Sequence, residues 1–94
     1  MRVSLVEQVG LQGGWTEYEA NGDILVVRAH LPTGPVEERY DLSGVGAEPV
    51  AWHDILPEAP FGFLLRAVRA EDGEVEAFLI SWPKPEVPDA GAGT

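Results

Sequence analysis

The stretch Phe61-Gly62-Phe63-Leu64-Leu65-Arg66-Ala67-Val68-Arg69-Ala70-Glu71-Asp72-Gly73-Glu74-Val75-Glu76-Ala77-Phe78-Leu79-Ile80-Ser81-Trp82 decides the fold class. Two runs rich in aliphatic and aromatic residues flank Asp72-Gly73. Asp-Gly is a strong hairpin signal because a type I′ turn needs two positive φ angles. With Asp72 and Gly73 as the turn, Ala70 is expected opposite Val75, Arg69 opposite Glu76, Ala67 opposite Phe78, Leu65 opposite Ile80 and Phe63 opposite Trp82. Cross-strand partners share a face, as do alternate residues along a strand. The core face is therefore expected to carry Phe63, Leu65, Ala67, Phe78, Ile80 and Trp82, closed near the turn by an Arg69–Glu76 ion pair. The opposite face carries Leu64, Val68, Val75, Ala77 and Leu79, with Arg66 and Ser81. A hairpin with one wet face alternates apolar and polar residues, and this one is mostly apolar on both. It is expected either to be a central element packed on both faces or to turn one face to another subunit or partner. A one-residue slip at the turn would exchange the two faces.

Upstream, residues 2–9 fit a first strand, and Gly10-Leu11-Gln12-Gly13-Gly14 a flexible connection. That glycine-rich run has no Lys-Ser/Thr and no helical pattern after it, so a plain turn is expected rather than a phosphate loop. Residues 15–31 read as a second hairpin with Asn21-Gly22 as its turn. That register sets Tyr18 opposite Leu25, Thr16 opposite Val27, Glu17 opposite Val26 and Trp15 opposite Arg28, the last a candidate cation–π pair. Thr16, Tyr18, Leu25, Val27, Ala29 and Leu31 share the face expected to be buried; Trp15, Glu17, Glu19, Ile24, Val26, Arg28 and His30 share the mixed one. Pro32-Thr33-Gly34-Pro35 is a turn. Residues 36–42 follow as a short edge strand, with Val36, Glu38, Tyr40 and Leu42 on one side and the charged Glu37, Arg39 and Asp41 on the other. After a loop at 43–49, residues 50–56 can form one more strand. No window sustains a helical period, so any helix is expected to be a short turn near residues 43–47 or 57–59. Residues 1–82 form one expected β domain, and the proline-spaced residues 83–94 an extended tail.

Composition bounds the function. A chain of 94 residues, 45% hydrophobic, allows one domain of modest stability. Without cysteine it has neither disulfide nor thiolate chemistry. No run approaches the length of a membrane span, and residues 1–7 lack a signal-peptide pattern. A cytoplasmic location is the expectation, in the host cytoplasm or the virion if the protein is viral. The 16 acidic residues outnumber the 6 basic ones, for a net charge of −10. That balance opposes binding to nucleic acid or an anionic membrane. The acids are dispersed, with no run longer than the pairs Glu37-Glu38 and Glu71-Asp72, as suits a solubility device.

Catalytic constellations are scarce. His30 and His53 are the two histidines, and no local spacing makes either a metal ligand. His53 and Asp54 adjoin, but neighbours in a strand point to opposite faces and make no base–orienter pair. Ser4, Ser43 and Ser81 lie in no nucleophile-elbow context. Glu17 and Glu19 share a strand face as carboxylates in an acidic sheet commonly do. Trp15, Trp52 and Trp82 are read as packing residues before a ligand-stacking platform.

The run Trp15-Thr16-Glu17-Tyr18-Glu19-Ala20-Asn21-Gly22-Asp23-Ile24-Leu25-Val26-Val27, with Pro32-Thr33-Gly34-Pro35-Val36-Glu37-Glu38-Arg39-Tyr40-Asp41-Leu42, resembles small acidic β proteins encoded among the structural genes of tailed bacteriophages. The resemblance covers less than half the chain and implies a virion or tail accessory role without identifying a binding residue.

The reading that results is an all-β domain of about six or seven strands, a small antiparallel sandwich or a partly open barrel. The expected function is non-enzymatic: a structural or adaptor module acting through a protein partner or self-association, as a homo-oligomer, with no cofactor and no contact with nucleic acid or membrane. Leu64, Val68, Leu79, Trp82, Trp15 and Arg28 are the candidate contact residues, together with the tail. The alternative is an acidic inhibitor that imitates nucleic acid and blocks a nucleic-acid-binding enzyme. An enzyme would rest on His53, Asp54 and an aromatic pocket alone.

Overall fold

A computed structural model describes residues 1–10 and 13–84. Six strands and one short helix follow in the order β1 (Arg2–Glu7), β2 (Trp15–Asn21), β3 (Ile24–Leu31), β4 (Gly34–Asp41), α1 (Trp52–Ile55), β5 (Leu64–Arg69) and β6 (Val75–Ser81). They make two open three-stranded sheets, β1-β6-β5 and β2-β3-β4. The fold is all-β, as expected, and the sheets do not close into a barrel. Every pairing is antiparallel except β1 with β6, which is parallel. The expected tail falls mostly on residues 85–94, outside the described residues; Pro83 and Lys84 are exposed and outside any strand.

The two hairpins depart from their expected registers in different ways. In β2–β3, Asn21 pairs with Ile24 and Tyr18 with Val27. The turn is Gly22-Asp23, and Gly22 supplies the positive φ of 63° that a primed two-residue turn needs at its first central position. This is a shift of two residues, and because side chains alternate with period two it leaves every residue on its expected face. Leu25, Val27 and Ala29 are buried as anticipated, although Tyr18 on the same face is exposed.

In β5–β6 the turn has three residues, not two. The Ala70 N–H donates to the Glu74 carbonyl, the Gly73 N–H to the Ala70 carbonyl, and Gly73 takes a φ of 88°. The Asp72 carboxylate accepts the Glu74 N–H, which favours this longer loop. Arg69 then pairs with Val75 and Ala67 with Ala77. The single-residue slip exchanges the faces of β6 against β5: Ala67 stays inward and Val68 outward as expected, while Val75, Ala77 and Leu79 turn into the core and Phe78 away from it. A bulge at Leu65 brings Leu64, expected on the outer face, to the inner face opposite Leu79. The expected Arg69–Glu76 pair does not form. Arg69 instead donates to the carbonyls of Val45 (2.8 Å) and Gly73 (2.7 Å) and lies 3.5 Å from Asp23, while Glu76 pairs with Arg2.

Residues 50–56 are not a strand. Val50 makes one antiparallel bridge to Ala67, and Trp52–Ile55 forms a single helical turn. Asp54 accepts the Ala51 N–H at 3.0 Å and so caps its own turn. Trp52, Ile55 and Leu56, at helical spacing, pack against the core while His53 and Asp54 stay exposed. The period is helical: a strand would set Trp52 and Asp54 on one face, whereas here Trp52 packs inward and Asp54 is exposed.

The core between the sheets is sealed at one end by Phe61, Phe63 and Trp82, whose rings sit 5.0–5.3 Å apart. Glu38 is fully buried on the inner face of β4. Its carboxylate accepts the backbone N–H groups of Phe61 (2.6 Å), Gly62 (3.1 Å) and Phe63 (3.1 Å), and the Tyr40 hydroxyl donates to it as well. Burial, and then the bond to Glu38, pushes the Tyr40 hydroxyl pKa well above its ordinary value. A buried carboxylate is tolerated when such donors replace water. Here they fasten β4 to the segment that leads into β5, and so one sheet to the other.

Candidate interaction surface

Of the residues expected to make contacts, Leu64, Leu79 and Trp82 are 0%, 1% and 6% exposed. They belong to the interior of the chain and offer nothing to a partner: the slipped register turns Leu79 inward, the bulge at Leu65 does the same for Leu64, and Trp82 lies on the face expected to form the core. Val68 lies on the other face, which is the outer one.

That outer face of β1-β6-β5 interleaves apolar and polar residues. Ser4 sits beside Phe78 and Val6 beside Ile80 across the parallel pair, and Val68 beside Glu76 and Arg66 beside Phe78 across the antiparallel one. Val6 is 40% exposed and the bulged Leu65 41%, while Val68, Phe78 and Ile80 are half-buried. Near the hairpin turn the face is bounded by charge: Arg2 bonds Asp72 (3.1 Å) and Glu76 (3.1 Å). Arg66 is exposed and makes no ion pair among the described residues. The sequence showed apolar residues on both sides of this hairpin; which set meets solvent was decided by the turn length.

The outer face of the other sheet is polar. Trp15 stacks on His30, with ring centroids 4.0 Å apart and planes 15° from parallel. The expected Trp15–Arg28 contact is replaced because the two-residue shift sets Trp15 opposite His30. Lys84, 4.8 Å from the ring centroid, is the cation over Trp15. Arg28 bonds Glu37 at 2.9 Å and lies 3.9 Å from Glu17, which holds His30 Nε2 at 2.5 Å. These charges satisfy one another.

No catalytic set converges on the expected residues. His53 Nδ1 lies 3.5 Å from Asp54 Oδ1, closer than a strand would allow, but both are exposed and Asp54 is engaged as a cap. His30 sits on β3 and is tied to Glu17. A shallow cleft of about 440 Å³ between Asp41, residues 44–48, Val50 and Ile55 contains no histidine or serine. Among the described residues no group of His, Cys, Asp and Glu is placed to hold a metal, and no helix is long and apolar enough to cross a membrane.

Carboxylates are spread over both sheets and several turns. Asp23 faces Arg69, Glu17 and Glu37 face Arg28, Asp72 and Glu76 face Arg2, and Glu38 is buried. Hydrogen bonds from Ser43 hold the Asp41 carboxyl below the usual range, and the Arg2 guanidinium, with the Glu74 N–H, does the same for Asp72. Glu38 is the residue with the most consequential role that sequence reading passed over. The available signal was a glutamate in phase with Val36, Tyr40 and Leu42 on the apolar side of its strand. Comparison with known protein families, curated proteins and solved structures finds no match to this chain.

Proposed function

We propose that this protein is a non-enzymatic structural or adaptor module that works by protein–protein assembly, in the manner of a virion or tail accessory protein. The observation that supports it is the outer face of β1-β6-β5, where Val6, Val68 and Phe78 bring apolar side chains to the surface between Ser4, Arg66 and Glu76, on an otherwise strongly acidic chain. Contiguous apolar surface rimmed by polar residues marks sites of association. Covering such side chains contributes about 25 cal/mol per Å² removed from water, while the surrounding negative charge keeps the free protein soluble.

The second reading, an acidic inhibitor that imitates nucleic acid, draws on the net charge of −10. It requires carboxylates in a phosphate-like row, and the pairing of so many acids with Arg2, Arg28 and Arg69 weighs against it. Sedimentation over about 1–500 µM, the range in which weak interfaces dissociate, separates the two. Concentration-dependent association that is lost in a Val68→Asp/Phe78→Asp double variant with an unchanged far-UV spectrum supports assembly. A strict monomer throughout overturns it.

A further inference from the structure

The four sheet edges are not alike. The edge of β5 is covered by residues 46–50: Val50 and Ala67 exchange backbone hydrogen bonds of 2.9 and 2.8 Å, and the Arg69 N–H donates to the Gly46 carbonyl at 2.8 Å. The edge of β2 is met at its start by Trp82, whose carbonyl accepts the Thr16 N–H and whose N–H donates to Thr16 Oγ1, each at 2.9 Å. The edge strand β4 carries Pro35 and the exposed charges Glu37, Arg39 and Asp41, devices that discourage pairing. β1 is the least protected, with exposed charges only at its two ends, Arg2 and Glu7. It contains no proline, lysine or bulge, and among the described residues nothing pairs with its outer edge.

The backbone groups on that edge can be assigned. The Gln8 N–H donates to the Ser81 carbonyl across the parallel pair. Alternate residues of a parallel strand bond the same neighbour, so Ser4 and Val6 also direct their backbone groups to β6. Val3, Leu5 and Glu7 direct theirs outward, without a partner among the described residues. Leu5, 47% exposed, is the most exposed large apolar side chain within any strand.

We infer that this edge is a self-pairing site, and that a second copy of this chain docks there through its own β1, antiparallel, about a two-fold axis. The inference rests on the assembly reading above and names its partner and place. Three features select a second copy. First, Arg2-Val3-Ser4-Leu5-Val6-Glu7 has no net charge within a chain of −10, so β1 is a stretch along which two such acidic molecules can approach. Second, an antiparallel copy brings the Arg2 end of each strand to the Glu7 end of the other. Third, only a register that sets outward-directed residues against one another satisfies the backbone, and the one centred on Ser4 does so while matching apolar residue with apolar residue, where one centred on Leu5 would set Val3 against Glu7. It sets Val3 opposite Leu5 of the second copy, each pair exchanging two hydrogen bonds, and Ser4 opposite Ser4. The exposed Leu5 side chains then cover the two Val3 side chains, and the three-stranded sheets fuse into one of six strands.

The chain has no native cysteine, which makes the register directly testable. Ser4 is exposed and falls in a non-hydrogen-bonded pair, where opposite Cα atoms lie about 4.5 Å apart, within disulfide reach. Ser4→Cys is expected to give a covalent dimer under mild oxidation, with Thr33→Cys, exposed in the β3–β4 turn, as a control that stays monomeric in covalent terms. In sedimentation, Leu5→Pro removes one outward N–H from each copy without touching the bonds to β6, and is expected to weaken the dimer about thirtyfold. A strictly monomeric protein overturns both this inference and the assembly reading. Association that persists in Leu5→Pro, that cross-links no better through Ser4→Cys than through Thr33→Cys, or that vanishes when residues 85–94 are deleted overturns the β1 edge alone and leaves the assembly reading standing.

Discussion

Replacing Glu38 by glutamine tests the contact that ties the two sheets together. The substitution keeps size and shape, so no cavity opens and the effect is one of hydrogen bonding. One carboxylate oxygen accepts the Phe61 and Gly62 N–H groups, and the other accepts the Phe63 N–H and the Tyr40 hydroxyl. Glutamine offers a single carbonyl oxygen, so its amide NH₂ must face one pair of donors. Two buried donors lose their acceptor, at about 1–3 kcal/mol each, and the amide's own N–H groups are left unpaired. The neutral side chain is cheaper to bury than a carboxylate, which offsets part of this. A net loss of about 3 kcal/mol is expected, against a total of about 5–15 kcal/mol for a small domain. Urea unfolding followed by tryptophan fluorescence measures it as a lower midpoint at unchanged slope. Tyr40→Phe removes one donor and leaves the carboxylate three others, so its cost should be smaller, about 1 kcal/mol. Hydrogen exchange at residues 61–63 should accelerate in Glu38→Gln and not in an exposed control such as Glu37→Gln. A Glu38→Gln variant within about 0.5 kcal/mol of the parent, the ordinary scatter of surface substitutions, would refute the role assigned to this carboxylate.

Other consequences can be measured in the same way. Gly62 is buried with a φ of 76°, and a Cβ there would lie 2.5 Å from Trp52 Cε2; Gly62→Ala should cost about 2–4 kcal/mol, and thermal melting within a degree of the parent would contradict it. Asp72 has its pKa lowered by Arg2 and by the Glu74 N–H, so it contributes stability at neutral pH that is lost as pH falls below the usual carboxylate range. Asp72→Asn should therefore flatten the acid limb of a stability–pH curve while leaving its alkaline limb unchanged. Inserting one residue between Glu71 and Asp72 should be more harmful than inserting two in the Pro32-Thr33 turn, because only an odd change in register turns Val75, Ala77 and Leu79 out of the core; equal losses on urea unfolding would argue against it.

What the sequence determined by itself is the class of fold and most of one sheet. The alternation of Leu25, Val27 and Ala29 with Ile24, Val26 and Arg28, and of Val36, Glu38 and Tyr40 with charged residues, sets the inner face of β2-β3-β4 whatever turn closes it, since a two-residue error changes no side chain's side. The final hairpin carries no such mark: with apolar residues at odd and even positions alike, pattern cannot say which set is inside. There the three-residue turn at 71–73 and the bulge at Leu65 made the choice, burying Leu64 and Leu79 and presenting Val68 and Phe78. The parallel partnership of β1 with β6 and the capture of residues 61–63 by Glu38 were likewise settled only in three dimensions. Each joins residues far apart in the chain through backbone groups, and a backbone N–H looks the same at every position of a sequence until the fold brings an acceptor to it.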